Sequence, residues 1–138
     1  MSGVGVIRVL LAANEPLTAV IPSARIKAGV LPLYTIIPAI SISQISKTSL
    51  SKIRPNEPKF YVSRVQVTVY RKEEPDDRGY PGLDAALKLV LAACPSQRAT
   101  IAGVKVDSII PDTEGPDLYY QESQTYTRSQ DFIVRYAI

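Results

Sequence analysis

The sequence of 138 residues contains no histidine. Histidine is the commonest general base near neutral pH and the commonest metal ligand, and every Ser-His or Cys-His catalytic pair requires it. Its absence removes most classes of enzyme from consideration, and the chemistry that remains would depend on carboxylates alone. We therefore predict a protein that is not an enzyme.

Cysteine is almost absent as well, since Cys94 is the single one in the chain. One thiol cannot form an intrachain disulfide, and it cannot build a cysteine-based zinc site. Cys94 ends an apolar helical stripe and precedes Pro95, which is typical of a small buried hydrophobic residue rather than a reactive thiol. We expect no metal, no cofactor and no redox role.

Long hydrophobic runs are also missing. The apolar stretch at residues 4–13 is interrupted by Arg8 and has no basic leader before it, which argues against a signal peptide or a membrane anchor. A hydrophobic content of 46% and a charged content of 21% are ordinary for a globular protein. We expect one soluble domain spanning residues 1–138, made inside the cell and not bound to a membrane.

Carboxylates are concentrated in two turn-like segments, residues 73–77 and 112–117. Neither segment has the alternating ligand positions and the glycine of a calcium-binding loop. We interpret both as solvated, charged connections.

The hydrophobic pattern predicts an α+β domain, with an antiparallel sheet of about four strands and two main helices packed on one face. The strands are predicted at residues 39–46, 60–70, 101–110 and 124–138, and the main helices at residues 2–14 and 81–94. A short helical turn is expected at residues 17–21, and an extended piece at residues 25–27. In the first strand Ile40, Ile42 and Ile45 are predicted to face inward. The last strand runs to the final residue, and without catalytic residues elsewhere this pattern favours a role in assembly.

Charge is distributed unevenly along the chain, whose formal net charge is +3. Residues 1–71 hold nine Lys or Arg against two acids, a net of +7, whereas residues 72–138 hold seven against eleven, a net of −4. One interpretation is a solvated surface whose signs happen to segregate. The other is head-to-tail association, in which a basic patch of one copy meets an acidic patch of the next.

The second interpretation predicts a subunit interface between a basic arm and an acidic turn. The polar stretch at residues 47–58 has the length of a functional or mobile loop and is the best candidate for the arm. The arm comprises Lys47, Lys52, Arg54 and Lys59, and the turn comprises Glu73, Glu74, Asp76 and Asp77.

Four segments in order resemble the tail completion proteins, or tail terminators, of long-tailed bacteriophages. They are PLTAVIPSARI (residues 16–26), PAISISQIS (38–46), SRVQVTVY (63–70) followed by a helix of LDAALKLVLAA type, and TYTRSQDFIVRYAI (125–138). Together they span nearly the whole chain, although each segment is common by itself.

The resemblance implies a structural phage protein that forms a hexameric ring on the head-proximal end of the tail tube. Such a ring would terminate tube growth and provide the docking surface for head-tail joining. Its implied partners are further copies of itself, the tail tube protein and a head-completion or connector protein. DNA would pass through its pore without specific binding. The implied location is the tail or neck of the virion, after assembly in the host cytoplasm.

Two alternatives remain open. A head-tail connector, or neck protein, would share the same surroundings. A nucleic-acid-binding module is suggested by a pI near 9.0 and eight tyrosines. However, Tyr70, Tyr126 and Tyr136 fall on strand positions that packing explains more simply than base stacking does.

Overall fold

A computed structural model of the chain describes residues 3–32, 35–50, 59–72 and 79–138. The helices are α1 (Gly3–Ala13), α2 (Glu15–Thr18) and α3 (Gly79–Ala93), with a 3-10 turn at Ser23–Arg25. The strands are β1 (Ile26–Ala28), β2 (Ala39–Ser49), β3 (Phe60–Lys72), β4 (Ala99–Ile101), β5 (Val104–Glu114), β6 (Leu118–Tyr120) and β7 (Thr125–Ala137). None of the helices within these residues is long and apolar enough to cross a bilayer.

The seven strands form one curled sheet in the order β1-β2-β3-β7-β5-β4, and β6 also pairs with β7. β1 and β2 run parallel, and all the other pairs are antiparallel. The prediction of an antiparallel sheet of about four strands with two main helices packed on one face is therefore wrong. The molecule is mostly sheet, the sheet is mixed and curled, and the helices are small.

Three strands of only three residues account for much of this error, because so few residues show no period. The strand predicted at residues 101–110 included only the last residue of β4 and ran on into β5. A tight turn at Ala102 and Gly103 separates the two, and both residues have a positive φ, 54° and 77°. Positive φ at both central positions is typical of a type I′ hairpin turn, here without its usual Asn-Gly sequence. β6 lies in a connection that was expected to be a simple turn.

The first half of the chain follows the prediction with shifted boundaries. α2 begins two residues earlier than expected, because the Asn14 side chain accepts a hydrogen bond from the Leu17 N–H at 3.0 Å and caps the helix. The extended piece predicted at residues 25–27 is β1, at Ile26–Ala28. The predicted loop at residues 47–58 begins too early, since β2 continues to Ser49, and residues 51–58 lie outside the described part.

A β-bulge changes the inward set of β2. The register with β3 shifts between Gln44 and Ser46, and one extra residue reverses the alternation of side chains. Ile40 and Ile42 are fully buried as predicted. Ile45 is the residue left unpaired at the shift and is 52% exposed, so the prediction that it faces inward is wrong. A similar shift in β5 follows Val106 and places Ile109, rather than Ile110, in the core.

The helices contribute their predicted stripes to one apolar cluster shared with β3 and β7. Val6, Ile7 and Leu11 of α1 are fully buried, and α1 begins in close contact with β3. A Cβ added to Gly3 would lie 3.0 Å from the Ser63 Cβ. Cys94 is buried after α3, and this burial raises the pKa of its thiol to about 12, which confirms the interpretation of Cys94 as a packing residue.

The different environments of Ile42 and Ile45 can be tested with the same substitution at both positions of β2. Ile42→Ala empties a fully buried site and is expected to lower the free energy of unfolding by about 2–5 kcal/mol. Ile45→Ala removes the same atoms from an exposed site and should change it by less than about 0.5 kcal/mol. Urea titration of both variants measures the difference, and equal losses would contradict the burial of Ile42 and the exposure of Ile45.

Candidate interaction surface

One face of the central strands is polar and partly exposed. Along this face the side chains of Thr68 and Ser129 share a hydrogen bond of 3.2 Å between their hydroxyls. Arg64 forms ion pairs with Asp112 and with Asp131, the latter at 3.2 Å. The hydrogen bond from Arg64 lowers the pKa of the Asp112 carboxyl below its usual value. The charges in the middle of this face therefore satisfy one another.

The same face ends in a cleft of about 610 Å³, where β3 begins and β7 ends. Phe60, Ala137 and Lys105 are register partners across β3, β7 and β5, so their side chains share one face. Arg135 lies two residues before Ala137 and points to that face as well. Leu50, where β2 has just ended, closes the cleft on the other side.

The cleft combines an apolar rim with cations. Phe60 and Leu50 are 51% and 58% exposed. They are adjacent, because the Leu50 N–H donates a hydrogen bond to the Phe60 carbonyl at 2.9 Å. Arg98 already binds Asp107 at 3.0 Å. Lys105 and Arg135, by contrast, make no ion pair or side-chain hydrogen bond with any described residue. The cleft thus offers two unengaged positive charges next to apolar surface.

The floor of the cleft is held in place by the start of β3 and the end of β7. The Tyr136 and Ser63 hydroxyls lie 2.9 Å apart and form a buried hydrogen bond. Tyr61 stacks on Tyr136, with ring centroids 5.7 Å apart. The cleft therefore places the cationic side chains of Lys105 and Arg135 next to apolar surface, an arrangement suited to binding an anionic, partly apolar partner.

Two of the eight predicted interface residues lie near this cleft. Lys47 is on β2, with its ammonium 4.4 Å from the centroid of the Tyr61 ring. Lys59 precedes β3, and its backbone exchanges hydrogen bonds with that of Ile138. The other six residues, Lys52, Arg54, Glu73, Glu74, Asp76 and Asp77, fall outside the described residues, so the predicted contact between arm and turn stays a prediction. Sequence reasoning missed Lys105 and Arg135, because only strand register brings them together.

A second charged cluster surrounds Arg128 on β7, whose side chain is only 10% exposed. Its guanidinium contacts the carboxylates of Asp84 on α3 and Asp117 between β5 and β6, and it lies 3.8 Å from Glu114. The Tyr80 hydroxyl donates to Asp117 at 2.5 Å. The Arg128 hydrogen bond lowers the pKa of the Asp117 carboxyl, and the bond to Asp117 raises the pKa of Tyr80.

All partners in this cluster come from the same chain, and each charge faces an opposite one. Arg128 therefore ties α3 and the β5–β6 connection to the central strand, and it is a structural clamp rather than a binding site. The described parts of the chain contain no group of three or more His, Cys, Asp or Glu residues that could hold a metal ion.

Removing the clamp should destabilise the fold. Arg128→Met leaves three carboxylates without their cation and is expected to lower the free energy of unfolding by about 1–3 kcal/mol, a range reduced because those carboxylates are partly exposed. Arg98→Met, which breaks an exposed pair, serves as the control and should cost less than about 1 kcal/mol. Guanidinium titration of both variants provides the comparison.

The clamp also predicts a pH dependence. The folded-state pKa of Asp117 lies below the ordinary value of 3.8, so its stabilisation is complete above that value and is lost as the pH falls through the folded pKa. The difference in stability between the wild-type protein and Arg128→Met should therefore shrink on acidification. A constant difference between neutral and strongly acidic pH would contradict the role of the Arg128–Asp117 pair.

The fold of this chain is similar to that of a known structure, although its sequence matches no known family model. No protein-family model matches the sequence, and no curated protein does. Among solved structures, the chain is similar to one from the virion of a native gene transfer agent particle, with a TM-score of 0.67 and 12% sequence identity. The match covers 96% of this chain and 92% of the other. At this identity the similarity shows that the two chains share a fold over nearly their whole length.

Proposed function

We propose that this protein is a structural component of a phage-like virion, where it forms a ring that caps the head-proximal end of the tail tube. The observation that carries the proposal is the similarity of the whole fold to a chain of a gene transfer agent virion. The sequence resemblance to tail terminators supports it independently, because it depends on the order of segments and not on backbone geometry.

A capping ring requires contacts between its copies and two ring faces with different binding properties, and a single binding domain can supply both. Copies must associate through two different patches, since contacts of that kind close into a ring when the rotation allows it. One face of the ring must complement the last ring of tube protein, and the other must reject further tube subunits. We propose six copies, with the tube protein on one face and a head-completion protein on the other.

Passage of DNA through the ring requires that its cations do not trap phosphates. Arg64 on the polar sheet face faces Asp112 and Asp131, and Arg128 faces three carboxylates. Cations that are already neutralised release few counterions on meeting DNA and bind it weakly. For Arg64 and Arg128 this pairing supports transit of DNA without specific binding, whereas Lys105 and Arg135 would need a protein partner to neutralise them.

Electron microscopy of particles assembled without this protein tests the proposal. We expect tail tubes that vary in length and exceed the normal length, with no heads attached, because nothing would stop tube growth. Supplying the wild-type chain should restore both length and joining. Tubes of normal length that merely fail to join heads would contradict termination and indicate a head-tail connector instead.

A further inference from the structure

We infer that the cleft formed by Phe60, Leu50, Lys105 and Arg135 is the receptor for the acidic segment, residues 73–77, of a second copy of the chain. This inference rests on the proposed function, since it names the contact that would join neighbours in the ring. The inferred contact differs from the one predicted from the sequence, because its cations are Lys105 on β5 and Arg135 on β7 and not those of the basic arm.

Charge complementarity identifies the occupant. Lys105 and Arg135 have no partner among the described residues and stand beside exposed apolar side chains. All five aspartates of the described residues already contact an arginine. The segment at residues 73–77 (EEPDD) carries four carboxylates in five positions, which is the densest negative charge in the chain. A patch of one sign that lacks partners favours docking of the opposite sign.

The length of β3 shows that the segment cannot reach the cleft of its own chain. β3 runs from Phe60, at the cleft, to Lys72, immediately before the segment. Twelve residue steps in a strand span about 40 Å. The residues that follow the segment also lie at the far end of β3, because α3 begins at Gly79 and a Cβ added to Gly82 would lie 2.8 Å from the Arg71 Nε.

The tether between Lys72 and Gly79 contains seven peptide steps and spans at most about 25 Å when fully extended. A segment held at both ends at one end of β3 therefore falls short of a cleft at the other end. Only another copy can place its acidic segment in the cleft. The contact is then heterologous, with a receptor at one end of each subunit and a ligand at the other. Such contacts build a ring when the rotation between neighbours closes.

The contact can be measured with a capped peptide of residues 73–77 (EEPDD) and the purified, isotope-labelled full-length chain. Titration followed by NMR should shift the amide signals of Lys105, Arg135 and Ala137. A peptide with the sequence QQPNN, which lacks the charges, should leave these signals in place. Binding should weaken as salt is added, because exposed charges are screened.

A charge-reversed chain provides the decisive comparison. Lys105→Glu combined with Arg135→Glu should weaken binding by about tenfold or more, since two charge-assisted contacts are lost. Arg25→Glu combined with Lys88→Glu makes the same change in net charge away from the cleft and should bind like the wild type. The amide spectrum of each variant reports whether its fold is intact.

Three results would overturn the inference: no shifts at millimolar peptide, shifts confined to residues 51–59, or equal weakening in both variants. This experiment uses purified protein, so its outcome is separate from the test of tube length. If the protein is required for normal tube length but does not bind the peptide, only the proposed contact is contradicted. If the peptide binds in the cleft but tubes assembled without the protein have normal length, only the capping role is contradicted.

Discussion

The structure depends on the antiparallel pairing of β3 with β7, which continues without a register shift from Phe60 opposite Ala137 to Lys72 opposite Thr125. Because side chains alternate along both strands, this ladder creates two faces at once. One face buries Val65, Val67 and Val69 in the core, and the other presents Arg64 and its polar neighbours. The same ladder fixes the distance between the two ends of the sheet. A bulge anywhere in it would exchange core and surface residues beyond that point.

The elements that sequence could predict are those long enough to show a period. α1, α3, β3 and β7 each contain more than ten residues with one apolar face, and their apolar residues lie in the core. The short strands β1, β4 and β6 have no such signal. β1 was predicted only as an extended piece and β6 was not predicted, so the predicted sheet was incorrect. Bulges also leave no signal in the sequence, because one extra residue reverses which side chains face the core without changing the composition of the strand. In β5, strict alternation from Val106 would bury Ile110, but the register shift buries Ile109 and leaves Ile110 46% exposed.

The candidate site was harder to predict than the fold. The uneven charge of the chain pointed towards association, but the residues of the cleft come from four different strands or strand ends. Phe60, Lys105 and Arg135 are far apart in sequence, and each is unremarkable in its local pattern. They meet only because β3, β7 and β5 pair in one particular register, which no local property of the sequence specifies. Charge alone therefore indicated the type of contact that we propose, whereas the strand register determined where the cleft lies.

The charged residues divide into those that serve the fold and those left for a partner. Arg128 is buried among carboxylates and contributes to stability, whereas Lys105 and Arg135 remain accessible and unengaged. Exposed ion pairs contribute only about 0–1 kcal/mol each, so a contact built on them is weak between two free subunits. In the proposed ring, the end of the tail tube would hold subunits side by side at a high effective concentration, so weak contacts between them could form. Weak contacts of this kind would let the ring form on a finished tube while free subunits in solution stay separate. The modest charge of the cleft is therefore suited to a cap that assembles only where it is needed.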